Sequence, residues 1–170
     1  MIQKTKWFER KFTFDFPVGL LPCIIERLRG TPARLEEITK SLSKEILTKK
    51  DGDKWSIQEQ VGHLLDLDEL HEGRLEDYRN NLPVLRPADL QNKKTYKANH
   101  NERNIGDILS EFRSFRMNFV KLLEQVDEKD ASKIAEHPRL KQKMRLVDMA
   151  FFVAEHDDHH IASIRELMEN

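Results

Sequence analysis

Residues 154–164 read AEHDDHHIASI, with three histidines and two aspartates in five consecutive positions. His156 and His160 stand four apart. On an α-helix that spacing puts two side chains on one face, with Cβ atoms about 5–6 Å apart. Two imidazoles so placed can reach one divalent ion, as the i, i+4 histidines of helical metalloproteases do with zinc. The plainer reading of an inward imidazole is a core histidine whose nitrogens are satisfied. Two of them on one apolar seam each need a buried partner, at a cost of about 1–3 kcal/mol if left unpaired. Spacing alone leaves both readings open. His159 points about 100° away from His160, which suits a supporting or surface position.

A third candidate is His63 in VGHLLDL, at the edge of another apolar face and directly after Gly62. Glycine inside a helix costs about 1 kcal/mol relative to alanine, so its use here suggests a close neighbour or open space beside the imidazole. Three histidines with a fourth position for water are a common catalytic zinc arrangement. Glu59 lies one turn before His63, Asp66 three residues after it, and Asp157 directly after His156. Each could orient an imidazole or act as a general base, or simply be a solvated helix charge. HDDHH also has the spacing of the HExxH protease signature, but Asp157 is one methylene shorter than glutamate and no third protease ligand follows. His71 is a weaker candidate for the same site. His100 and His137 fall in connections and are expected to be solvated.

The elements that must carry these residues follow from periodicity. Leu146, Met149, Val153, His156, His160, Ser163 and Leu167 step by three and four, the inward seam of a helix from about Arg145 to Met168. Ser56 and Glu59 form a capping box that opens a helix to about Asn80, with Ile57, Val61, Leu64, Leu75 and Tyr78 on one face. A third helix starts near Ile105, with Ile108, Phe112, Phe115, Phe119, Leu122 and Leu123 as its stripe. The first runs from Pro17 to about Ser43 and is expected to kink, because Gly30 can close one helix and Thr31–Pro32 can open the next. Residues 1–16 form an arm in which KFTFDF is extended. Residues 81–103, with Pro83, Pro87 and several asparagines, make a long crossover connection between the second and third helices. Four long amphipathic helices without clear strands argue for an all-α four-helix bundle, a single domain over residues 1–170.

Composition narrows the partners. With 29 basic and 30 acidic residues, formal net charge is −1, so nothing favours nucleic acid or an anionic membrane. No stretch approaches the roughly 20 apolar residues that span a bilayer, and the first sixteen residues lack the apolar core of a signal peptide. Cys23 is the single cysteine, which excludes an intrachain disulfide and fits a reducing compartment; in LLPCII it is expected to be buried and inert. The expectation is a cytoplasmic protein with a small-molecule substrate. Trp7, Phe8 and Phe12 could simply fold over the bundle, but the expectation is that they form a homodimer contact.

KWSIQEQVGHLLDLDE and HDDHHIASI, taken together, resemble the DinB/YfiT-like superfamily of four-helix-bundle proteins held to be metal-dependent. The resemblance covers roughly residues 17–168. In that family a Trp-Ser/Thr segment (here Trp55-Ser56) leads to one ligand histidine, and the last helix carries a His-x-x-x-His pair. It therefore implies a metal at His63, His156 and His160, with zinc or nickel as the usual ion and water completing the shell. The family often places glutamine or histidine four residues after the second ligand, and here that position is Ile164. The resemblance implies either a hydrolase or a transferase that uses a low-molecular-weight thiol, the metal lowering the thiol's pKa. The alternative is a non-catalytic metal-binding or stress-response bundle, since fold and site do not give a substrate.

Overall fold

The computed structural model describes residues 2–169. Its long helices are α1 (Leu21–Thr39), α3 (Ile57–Arg79), α5 (Ile105–Glu124) and α7 (Leu146–Met168). Short helices α2 (Lys44–Thr48), α4 (Lys93–Ala98) and α6 (Glu128–Ala131) sit in the connections. The capping box forms as expected: Glu59 N donates to Ser56 Oγ at 3.1 Å, and Ser56 N donates to the Glu59 carboxylate at 2.8 Å. Asn80 caps the other end of α3.

The four long helices form a bundle in which α1 and α3 each pack against both α5 and α7, and so lie across a diagonal from one another. Side-chain pairs give the directions. Gln58, at the start of α3, donates to the carbonyls of His100 and Arg103 just ahead of α5, and Asn118 of α5 reaches Glu72 of α3. These two helices are therefore parallel. Residues 81–103 must travel back along the whole bundle to connect them, which is the crossover the prolines and asparagines suggested.

Two expectations about helices are corrected. α1 is continuous through Gly30 and Pro32, so no helix ends at Gly30 and no second one starts at Thr31–Pro32. Phe115 was placed in the α5 stripe but is 46% exposed, while Arg116 is fully buried. There is also a sheet. Strands β1 (Ile134–His137) and β2 (Gln142–Arg145) pair antiparallel, with Ala135 opposite Met144, and Val84 of the crossover bridges to Glu136. Ala135, His137 and Met144 are buried, so this hairpin closes one end of the bundle and His137 is not solvated as expected. Cys23 is exposed on α1, against the expectation of a buried thiol.

The core divides into two apolar blocks. One holds Leu28, Leu75, Phe119 and Val153; the other holds Leu35, Leu64, Phe112 and Ile164. Between them lies a buried polar layer with one residue from each long helix: Thr31, Asp68, Arg116 and Asp157. Arg116 Nη2 donates to Asp68 at 2.8 Å, its Nη1 donates to Asp157, and Thr31 donates to Asp157 at 2.7 Å. Burial pushes Asp68 up to about 6, against the pull of Arg116. Burial disfavours the Arg116 cation, and the two carboxylates more than offset that. The layer fixes the register of all four helices, because no shift along the axis keeps a buried guanidinium paired on both sides.

The N-terminal arm lies along α7. A single 3₁₀ turn at Trp7–Glu9 precedes the KFTFDF run, which has no helical residue. Trp7 and Phe12 both pack on Phe152, with ring centroids 5.0 Å away in each case. These two rings are thus used within the chain, and Phe8 remains 64% exposed.

Candidate metal centre

His63 comes from the second turn of α3 and the His156–His160 pair from the antiparallel α7. Their register makes them converge: each offers a ring nitrogen within 4.8 Å of those of the other two, and all three residues are buried. His156 Nε2 and His160 Nε2 are 3.1 Å apart. The His63 ring centroid is 5.5 Å from that of His156 and 4.9 Å from that of His160. Two tryptophans flank the group, Trp55 at 4.5 Å from the His63 ring and Trp7 at 4.8 Å from the His156 ring.

The dense charge around these histidines separates by direction. Glu155 and Asp158 turn toward α1 and the arm, where Arg10, Arg27 and Arg34 meet them. Asp157 turns into the core to Arg116. His156 and His160 face the cavity, and His159 lines it too, half-buried beside Trp7. Burial, the largest effect, holds the His63 imidazole down to about 4 and those of His156 and His160 well below the usual histidine value; the neighbouring histidines push the latter two in the same direction. All three are neutral at physiological pH, the form that binds a metal.

The residues holding the rings are not the carboxylates the sequence suggested. Glu59 is taken by its own helix cap and by Lys50 at 2.8 Å. Asp66 pairs with His100 Nε2 at 2.9 Å. Asp157 bonds Arg116 and Thr31. The rings are held instead by neutral groups. Gln60 Oε1 lies 2.5 Å from His160 Nδ1, and Thr95 Oγ1, carried on α4 in the crossover, lies 3.0 Å from His63 Nδ1. An amide oxygen only accepts, so His160 carries its proton on Nδ1 and leaves a lone pair on Nε2, toward His156. His156 Nδ1 has no partner.

Gly62 has its reason in His100. A Cβ at position 62 would stand 2.2 Å from the His100 ring. His100, expected to be solvated, is 1% exposed and pressed on α3. His137 is likewise buried, and His71 lines the same cavity as the three histidines. Ile164 is buried in the apolar core block rather than at the site. The cavity is about 1030 Å³ and runs from the three imidazoles along α3, between the arm and the crossover.

A bundle with a parallel α3–α5 pair and three facing histidines defines a class, and the comparison with known families agrees: the DinB superfamily matches residues 27–164, and the chain belongs to it. Among solved structures the fold is similar to YfiT from Bacillus subtilis, at a TM-score of 0.75 and 21% identity, over 94% of this chain and 92% of that one. YfiT is described as a "probable metal-dependent hydrolase with an unusual four-helix bundle topology". No curated protein matches the sequence. Among the described residues no helix is long and apolar enough to cross a membrane.

Proposed function

We propose that the protein is a metal-dependent enzyme acting on a small molecule, with His63, His156 and His160 holding one divalent ion, zinc or nickel. The observation that carries this is the convergence of three buried, neutral imidazoles with ring orientations set by Gln60 and Thr95. The donor set fits. Ligands at about 2.0–2.1 Å in a tetrahedral shell stand about 3.3 Å from one another, and the two α7 Nε2 atoms are 3.1 Å apart.

A divalent ion held by three neutral imidazoles keeps its full charge and brings a bound water or thiol toward a neutral pKa, supplying a nucleophile at physiological pH. The chain's own part is placement and exclusion. Gln60 and Thr95 orient His160 and His63, and Trp7 and Trp55 shield the rings from bulk solvent. Among the described residues no carboxylate is hydrogen-bonded to any of the three rings, so the protein leaves the ion's charge unreduced. Hydrolysis is the first reading, in line with the similarity to YfiT. A thiol-dependent S-transfer is the second; it is favoured by a cavity of about 1030 Å³, at the upper end of ligand pockets, with room for a thiol beside its electrophile.

The test is metal content by elemental analysis of protein purified without an affinity tag, compared with a His156→Ala/His160→Ala variant. About one equivalent in the parent and none in the variant is expected. Equal content in both removes the reading. Activated esters and alkyl electrophiles, each with and without cellular thiols, then separate hydrolase from transferase.

A further inference from the structure

The cavity continues away from the histidines, and its far end has a different chemistry. Arg74 stands eleven residues beyond His63 on α3, about 16 Å along the helix axis, and is 2% exposed. Its Nε donates to the carbonyl of Arg86 at 3.2 Å, but its Nη2 is buried without a partner. Arg139, from the β1–β2 turn, lines the same cavity with its Nη2 also buried and unpartnered. Its guanidinium lies 5.1 Å from the Phe8 ring and 5.8 Å from the Phe152 ring. Among the described residues neither arginine makes an ion pair. Asp77, one helical turn beyond Arg74 on α3, is taken by Arg86 through contacts of 2.7 and 3.0 Å.

His137 adds a neutral donor. Its Nδ1 accepts the backbone N–H groups of Arg139 and Leu140 at 3.3 and 3.2 Å, so the ring proton is on Nε2. That Nε2 is buried and unpartnered, in a residue 3% exposed. Two cations and an imidazole N–H therefore lie at one end of the cavity, each with a buried donor atom that no acceptor meets. Burial lowers Arg74 to about 10, which leaves it cationic at neutral pH. Buried charge and buried donors without acceptors are costly, and an anion is the group that satisfies all three at once.

We propose that this end of the cavity is a carboxylate subsite, formed by Arg74, Arg139 and His137, that anchors an elongated amphipathic acid. The three open donors match the two oxygens of a carboxylate. Leu67 and Leu70, between the two ends on α3, line the cavity with the arm's Trp7 and Phe8 and suit an apolar middle. The subsite names the substrate class for the metal centre proposed above and rests on that reading only for what happens at the other end of the molecule; anion binding itself does not need the metal.

The probes are 4-phenylbutyrate and its uncharged isostere 4-phenylbutyramide, titrated calorimetrically into metal-free protein at pH 7.5. The acid is expected to bind at least ten-fold more tightly than the amide, with that preference falling as salt is added. Arg74→Gln and Arg139→Gln are each expected to reduce the preference to two-fold or less. Arg139 is half-buried on a turn, so its variant decides the matter if Arg74→Gln does not fold. The His156→Ala/His160→Ala protein is expected to keep the preference, so a failure of the metal reading leaves the subsite standing. Equal affinity for acid and amide in the parent overturns the proposal. So does a preference that survives Arg139→Gln but disappears in the histidine variant, because the anion then sits at the imidazoles.

Discussion

Gln60 and His160 face each other across the α3–α7 interface, the imidazole donating through Nδ1 to the amide oxygen at 2.5 Å. This contact sets which nitrogen of His160 carries the proton. Gln60→Leu keeps the volume and removes the acceptor. It is expected to weaken metal binding about 10–100-fold, the usual effect of losing a ligand's orienting partner, with little change in fold. Competition against a chromophoric chelator measures it, and undiminished affinity would show that the amide does not orient the ring.

Bound metal is expected to stabilise the folded chain. A ligand present at 100 times its Kd adds about 2.7 kcal/mol. Melting with zinc, with nickel and with excess EDTA checks this. The increment should disappear in His63→Ala, because two imidazoles on one helix do not enclose an ion.

Arg116 is the residue whose loss should damage folding most. Its removal leaves the Asp68 and Asp157 carboxylates buried without a counter-charge, at about 3–5 kcal/mol. Arg116→Met is expected to lower the unfolding free energy from denaturant titration by that amount, whereas replacing Asp68, Arg116 and Asp157 together with apolar residues should recover most of it. If the single and triple variants are equally destabilised, the layer's worth lies in packing and not in charge.

Two glycines on long helices should respond to alanine with opposite signs. At Gly62 the new Cβ meets the His100 ring, which Asp66 holds in place, and the overpacking costs about 1–3 kcal/mol. At Gly30 nothing lies within 4 Å, and alanine should stabilise α1 by about 0.5–1 kcal/mol. Thermal melts of the two variants give the signs directly.

Acid should unfold the protein through its buried neutral histidines. Burial holds His137 down to about 3, with Arg74 and Arg139 adding to it, and holds His71 well below 6.5, with Arg116 and Arg74 adding. The unfolded chain takes up these protons first, near pH 6.5. Their contribution is therefore complete above that pH and is lost as pH falls toward the folded values, at about 1.4 kcal/mol per pH unit for each. Denaturant titrations of metal-free protein at pH 7.5, 6 and 5 measure the slope, and His71→Leu should flatten it by one histidine's share.

The helices were legible in the sequence because their signals are local. The Ser56–Glu59 cap and the four-residue histidine step need only a few consecutive positions. The groups that hold the rings were not. Thr95 reaches His63 from 32 residues away, and Gln60 is a neutral side chain one position past Glu59, which drew attention because carboxylates are the familiar partners of ligand histidines. Arg116 left a trace that could have been followed: it lies four residues after Phe112 and three before Phe119, an inward position for a charge. The hairpin left none, because Ile134-Ala135-Glu136-His137 does not alternate apolar with polar: Ile134 faces out while Ala135 and His137 face in. Nothing in the sequence marks His100 and His137 as buried, because connections are usually solvated; here the connections close the cavity.

The parallel run of α3 and α5 obliges one strap of chain, residues 81–103, to retrace the molecule from end to end. That strap carries a wall of the cavity and the hydroxyl beside His63, and it is anchored on the bundle at both ends, by Leu85 in the core and by His100 against Gly62. Changes of length between those anchors reshape the chamber while the bundle stays intact, which makes this segment the natural place for related proteins to diverge in what they admit.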